Sequence, residues 1–74
     1  MTDAPAHRID THDALLHRIR GEFVEMPGLL LTPPQAARLW HLDVHLVTSL
    51  LGRLVESRFL DRRPNGVYRR AGVP

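Results

Sequence analysis

Four consecutive residues, Thr32-Pro33-Pro34-Gln35, restrict this chain more than any other stretch. A threonine hydroxyl accepts a hydrogen bond at a helix N-cap, and the next positions are those where a helix N–H lacks an intrahelical partner, so proline loses nothing there. A glutamine at the third helical position completes a reciprocal capping box. A helix must therefore begin at Pro33. It carries Ala36, Ala37, Leu39 and Trp40 and has to be short, because His41-Leu42-Asp43 reads as a turn in which Asp43 caps another helix. That helix is expected over residues 44–56. At roughly 100° per residue, Val47, Leu50, Leu51, Leu54 and Val55 gather on one side, while His45, Ser49, Gly52, Arg53 and Glu56 gather on the other.

Upstream, Leu15, Leu16, Ile19 and Phe23 form the apolar stripe of a first helix, with Asp10 or Thr11 placed to cap it and an end near Met26. Pro27-Gly28 stops it, and Leu29 to Leu31 reads as a three-residue strand. Downstream, the β-capable runs 59–63 and 67–70 flank Pro64-Asn65-Gly66. Asn-Gly between such runs signals a hairpin with a type I′ turn, whose two central residues both need positive φ. The fold class expected is mainly α with a small β-hairpin (α+β). One domain spans residues 11–70, with a flexible N-terminal tail over 1–10 and a C-terminal tail over 71–74.

A chain of 74 residues has room for a single core. Deep substrate pockets are disfavoured at this size. The absence of cysteine removes disulfides, thiolate nucleophiles and cysteine-based zinc sites together. Ser49, Ser57, Thr11, Thr32 and Thr48 show no local triad signature, and no glycine-rich phosphate loop is present, so no enzyme and no cofactor is expected. The longest apolar run, Leu29 to Leu31, is far too short for a membrane span, and Met1 to Asp10 lacks the apolar centre of a signal peptide. A cytoplasmic protein without membrane contact is the expectation.

Charge is divided along the chain. Residues 1–31 hold three arginines against five acids, a net of −2, whereas residues 32–74 hold seven arginines against three acids, a net of +4. Every cation is arginine, a planar fork of donors suited to phosphate.

Two helices joined by a short turn and followed by a hairpin form the winged helix-turn-helix order. Residues 31–70 resemble the DNA-binding domains of IclR-type and MarR-type bacterial regulators. The resemblance is carried by Leu31-Thr32, Gln35-Ala36-Ala37, Leu42, Val47, Leu50-Leu51, Leu54-Val55, Phe59-Leu60, Gly66 and Tyr68. Glu25-Met26-Pro27-Gly28-Leu29 also resembles a stretch of a small uncharacterised bacterial winged-helix group. The resemblance implies a three-helix winged helix-turn-helix whose third helix enters the major groove. It also marks departures. His41 stands where those regulators usually carry glycine, so the turn is expected to form without positive φ, and Arg58 replaces the usual glycine after the third helix, which forces a less common backbone conformation.

The function expected on these grounds is that of a DNA-binding protein, a bacterial transcriptional regulator. The DNA-facing residues of the third helix are His45, Thr48, Ser49, Gly52 and Arg53, with Arg53 the strongest reader of guanine. The wing residues are Arg62, Arg63, Asn65, Arg69 and Arg70, four cations around one tight turn. Because strand neighbours face opposite ways, about half of those cations point at any one partner. Double-stranded DNA is the expected partner, with a homodimer or a larger protein supplying a second half-site.

The alternative is a winged-helix protein–protein interaction module without sequence-specific DNA binding, docking through the acidic first helix or an apolar edge at Leu46. Tyr68 and Trp40 read as core residues. His41 and His45 have zinc-compatible spacing but straddle a helix start with no third ligand, and His7, His12 and His17 with Asp10 and Asp13 are more simply a tail and a helix face. No metal is expected.

Overall fold

The computed structural model describes residues 11–72. The expected N-terminal tail over 1–10, residues 73–74 of the C-terminal tail expected over 71–74, and the capping role of Asp10 lie outside the described residues. Three helices, α1 (Thr11–Glu25), α2 (Pro33–Trp40) and α3 (Val44–Glu56), precede an antiparallel hairpin of β1 (Leu60–Arg62) and β2 (Tyr68–Arg70). The molecule is thus mainly helical with a small hairpin, an α+β fold.

The stripe on α1 does what its spacing requires. Ile19 and Phe23 are fully buried, and Leu15 and Leu16 pack half-buried beside them. The helix ends at Glu25, and a turn over Pro27-Gly28 closes with the Leu29 N–H donating to the Met26 carbonyl at 2.9 Å. The strand expected at Leu29 to Leu31 contracts to a one-residue bridge between Leu31 and Tyr68, which exchange both backbone hydrogen bonds. The reason is local. Leu29 is used by the turn before it, and Thr32 is already committed to capping α2.

That cap forms completely. The Gln35 N–H donates to Thr32 Oγ1 at 3.4 Å, and the Thr32 N–H donates to Gln35 Oε1 at 2.9 Å. At the other end of α2, His41 adopts φ 56° and ψ 48°, and the Leu42 N–H reaches back to the Ala37 carbonyl. The turn therefore does use positive φ, contrary to the expectation for a non-glycine residue. Histidine is among the few side chains that enter this region with some frequency, and the left-handed residue satisfies carbonyls that would otherwise be orphaned. Asp43 then caps α3 twice, its carboxylate accepting from the N–H groups of His45 at 2.9 Å and Leu46 at 3.2 Å.

The end of α3 repeats the device. Arg58 takes φ 67°, and the Phe59 N–H donates to the Leu54 carbonyl. This reverses the chain into β1. The hairpin pairs Leu60 with Arg70, Asp61 with Arg69 and Arg62 with Tyr68, and an Ala71 N–H to Phe59 carbonyl bond extends it by one step.

Its turn is not type I′. Asn65 has no positive φ; only Gly66 does, at 85°, and the Gly66 N–H closes on the Arg63 carbonyl while the Arg63 N–H bonds the Val67 carbonyl. Pro64 decides this, because its ring holds φ near −65° and suits the first central position of an ordinary turn, leaving Gly66 to supply the left-handed residue of a three-residue loop.

The core is continuous from α1 to β2. Ile19, Phe23, Leu31, Ala36, Trp40, Val47, Leu50, Leu51, Leu54, Leu60 and Tyr68 bury together, and no polar or charged residue is buried with them among the described residues. Trp40 meets Phe23 edge to face at 6.3 Å, a favourable arrangement of the two ring quadrupoles. Trp40 and Tyr68 are core residues, as their patterns indicated.

Candidate functional site

α3 is held from both ends and from beneath. Asp43 fixes its start, Arg58 its end, and Val47, Leu50, Leu51 and Leu54 anchor its inner side. What this leaves outward is a row of small and polar side chains. His45, Thr48 and Ser49 are exposed, and Gly52 lies among them. Thr48 Oγ1 donates to the Val44 carbonyl at 2.8 Å, so its hydrogen is used within the helix while its lone pairs face out.

Gly52 has no packing reason to be glycine: a Cβ built there meets nothing within 4 Å. Glycine costs a helix interior roughly 0.5–1 kcal/mol relative to alanine. A residue that weakens the helix without relieving any contact is an unabsorbed signal on this face.

Arg53 stands apart from that row. Its Nη2 lies 4.0 Å from Asp13 Oδ1 of α1, with both side chains about half exposed. A pair this exposed is worth about 0–1 kcal/mol, so Arg53 is leaning on α1 rather than locked to it.

The hairpin arginines separate into two kinds. Arg62 and Arg63 are exposed at the tip end, whereas Arg69 and Arg70 are half-buried, each with an Nε atom that is buried and without a hydrogen-bond partner. Arg69 stands across from Asp61, and Arg70 lays its guanidinium 4.7 Å from the centre of the Phe59 ring. Pleating puts Leu60, Arg62, Tyr68 and Arg70 on one face and Asp61 and Arg69 on the other, so the separation runs along the hairpin, from the covered base to the exposed tip. Asn65 spends its side-chain oxygen on the loop, accepting from the Val67 N–H at 3.2 Å.

Two features were not visible in the residue pattern. Arg20 of α1 also approaches the Phe59 ring, at 4.7 Å. The apolar edge expected at Leu46 is not exposed, because Leu46 begins the row Leu46, Leu50, Leu54 and packs half-buried against the core. The large apolar side chains that face solvent are instead Val24, Met26, Leu30 and Leu39, all more than 40% exposed. They lie off the stripes of α1 and α2, one residue to the side of Phe23, Leu31 and Trp40 in three of the four cases, which is the trace they leave in the sequence.

Among the described residues no group of three or more histidines and acids is placed to hold a metal ion. His41 occupies the left-handed turn and His45 the first turn of α3; His7 and Asp10 lie outside the described residues. Among the described residues no helix is long and apolar enough to cross a membrane. No family model, curated protein or solved structure matches this chain.

Proposed function

We propose that this chain is a winged helix-turn-helix DNA-binding protein that acts as a transcriptional regulator. α2 braces the backbone, α3 lies in the major groove, and the hairpin grips the neighbouring phosphates as the wing. The observation that carries this reading is the outward row of exposed His45, Thr48 and Ser49, with half-buried Gly52 beside them, on a helix that is capped at its start and anchored along its inner side. A rigid helix with a bare, small-residue face is what insertion into a groove requires.

Arg62 and Arg63 supply phosphate contacts from the exposed end of the hairpin, while Arg69 and Arg70 keep the hairpin positively charged from partly buried positions. Arg53 reaches a base edge or phosphate by giving up its weak contact with Asp13. A second copy or a larger partner provides the other half-site, since one such module reads few bases.

A second reading, a protein–protein interaction module on the same scaffold, is favoured by the exposure of Val24, Met26, Leu30 and Leu39. Fluorescence anisotropy of a labelled random-sequence duplex pool, titrated at two salt concentrations, separates the two. The DNA reading requires micromolar binding whose log affinity falls by about 0.9 per phosphate contact for each decade of salt. Absence of binding at low salt rejects it in favour of the interaction module.

A further inference from the structure

Phe59 sits where the end of α3 turns into the base of the hairpin. Its backbone is pinned on both sides, the Phe59 N–H donating to the Leu54 carbonyl at 2.9 Å and the Phe59 carbonyl accepting from the Ala71 N–H at 3.0 Å. The left-handed Arg58 before it sets the direction in which the chain enters β1. The side chain is half-buried and packs against the core, so its ring is a fixed surface.

Two guanidiniums use that surface. Arg20 of α1 and Arg70 of β2 each place Cζ 4.7 Å from the ring centre, which brings two cations from segments fifty residues apart to one aromatic side chain. Neither has a carboxylate partner among the described residues. One cation gains the attraction of the ring quadrupole, whereas a second at the same ring adds repulsion that no paired acid relieves. Arg20 is exposed, while Arg70 is half-buried with its Nε unpartnered. Arg20 also lines the open groove between α1 and α3 that Arg53 lines, so it stands on the flank of α3 that carries Arg53.

The geometry points to a phosphate contact at the base of the hairpin, separate from the one at its tip: Arg20 takes one phosphodiester of the duplex backbone, Arg70 adds its charge nearby, and Phe59 is the positioning residue that holds both. This rests on the DNA-binding reading and extends it to α1, a helix that neither the groove-reading face nor the hairpin includes. Phosphate suits the arrangement because an exposed guanidinium presents a planar fork of donors and reads no sequence. A guanidinium already held over a ring has less freedom to lose when a phosphate arrives, so Phe59 contributes affinity without touching DNA.

The test titrates a labelled random-sequence duplex pool with the full chain and its variants at several salt concentrations, at a temperature where circular dichroism shows each variant folded. Arg20→Gln alters an exposed side chain and should weaken binding by about threefold to tenfold and flatten the salt slope by about 0.9, the signature of one lost phosphate contact. Phe59→Leu keeps an apolar side chain but loses the ring. It should weaken binding by about threefold, the size of an exposed cation–π contact, with the slope unchanged. Phe59→Tyr should restore the affinity, and in an Arg20→Gln background Phe59→Leu should have a smaller effect than alone. An unchanged affinity and slope in Arg20→Gln would overturn the contact. Phe59→Leu that binds like the parent, Phe59→Tyr that binds as weakly as Phe59→Leu, or fully additive losses in the double variant would overturn the positioning role. A parent chain that fails to bind at low salt would reject the DNA-binding reading and this contact with it.

Discussion

The two faces of α3 share one backbone, one cap and one end, and they obey different rules. Val47, Leu50, Leu51 and Leu54 on the inner face are at most 4% exposed and meet α1, α2 and the hairpin; His45, Thr48 and Ser49 on the outer face are exposed, with Thr48 bonded only within its own helix. Inner residues are fixed by volume and transfer free energy, because a core is packed to near-crystalline density. Outer residues are not fixed by the fold at all, so whatever selects them acts from outside the molecule. The hairpin divides along its length instead of across its faces: Leu60 and Tyr68 are buried, whereas Arg62, on the same face, and Arg63 are exposed towards the tip.

Substitutions on either side should therefore separate stability from binding. The largest effect belongs to the inner face. Leu51→Ala removes a fully buried side chain and should cost about 2–5 kcal/mol, out of the roughly 4–11 kcal/mol that a domain of this length holds. Urea denaturation followed by circular dichroism reads this directly, and a loss below about 0.5 kcal/mol, the size of an ordinary surface substitution, would dissolve the contrast between the faces.

Next comes the exposed end of the hairpin. Arg62→Ala combined with Arg63→Ala should leave stability within about 0.5 kcal/mol but lower duplex affinity about tenfold at moderate salt and flatten the salt slope by up to about 1.8. Unchanged affinity in the anisotropy titration would strike the hairpin from the proposed mechanism.

Asp43→Ala tests what holds the two faces in place. It removes an acceptor used by two backbone N–H groups and should cost about 1 kcal/mol, read as a fall in melting temperature. The smallest effect has the opposite sign. Gly52→Ala meets open space and should stabilise the protein by about 0.5–1 kcal/mol, yet weaken duplex binding if the outer face approaches DNA closely. A stabilised variant with undiminished binding would show that Gly52 is not at the interface.

Much of this was legible before any coordinates. Thr32-Pro33-Pro34-Gln35 and Asp43 placed the starts of α2 and α3 because caps are satisfied by atoms only two or three residues away. The buried residues of α1 and α3 followed from periodicity alone. The hairpin was legible in outline but not in detail: the Asn65-Gly66 pair pointed to one turn, and Pro64 imposed another through its fixed φ. At His41 a statistical preference for glycine misled, since the gain from closing the α2 carbonyls outweighs a left-handed penalty that is only about 1–2 kcal/mol. Leu46 was misjudged for a different reason. A residue at the edge of a stripe is buried or bare according to how far the neighbouring elements reach, and no local pattern contains that distance.

The same limit separates the two sources of information throughout the molecule. Residues acting over one helical turn or one tight turn determined the elements, their ends and the inner faces, because those interactions close within four or five positions of the chain. Tertiary structure alone decided that Arg53 leans on Asp13 forty residues earlier, that Arg20 and Arg70 share Phe59, and that a groove opens between α1 and α3. A flexible charged side chain has many partners of similar energy, so its choice is settled only when distant segments are brought to the same place.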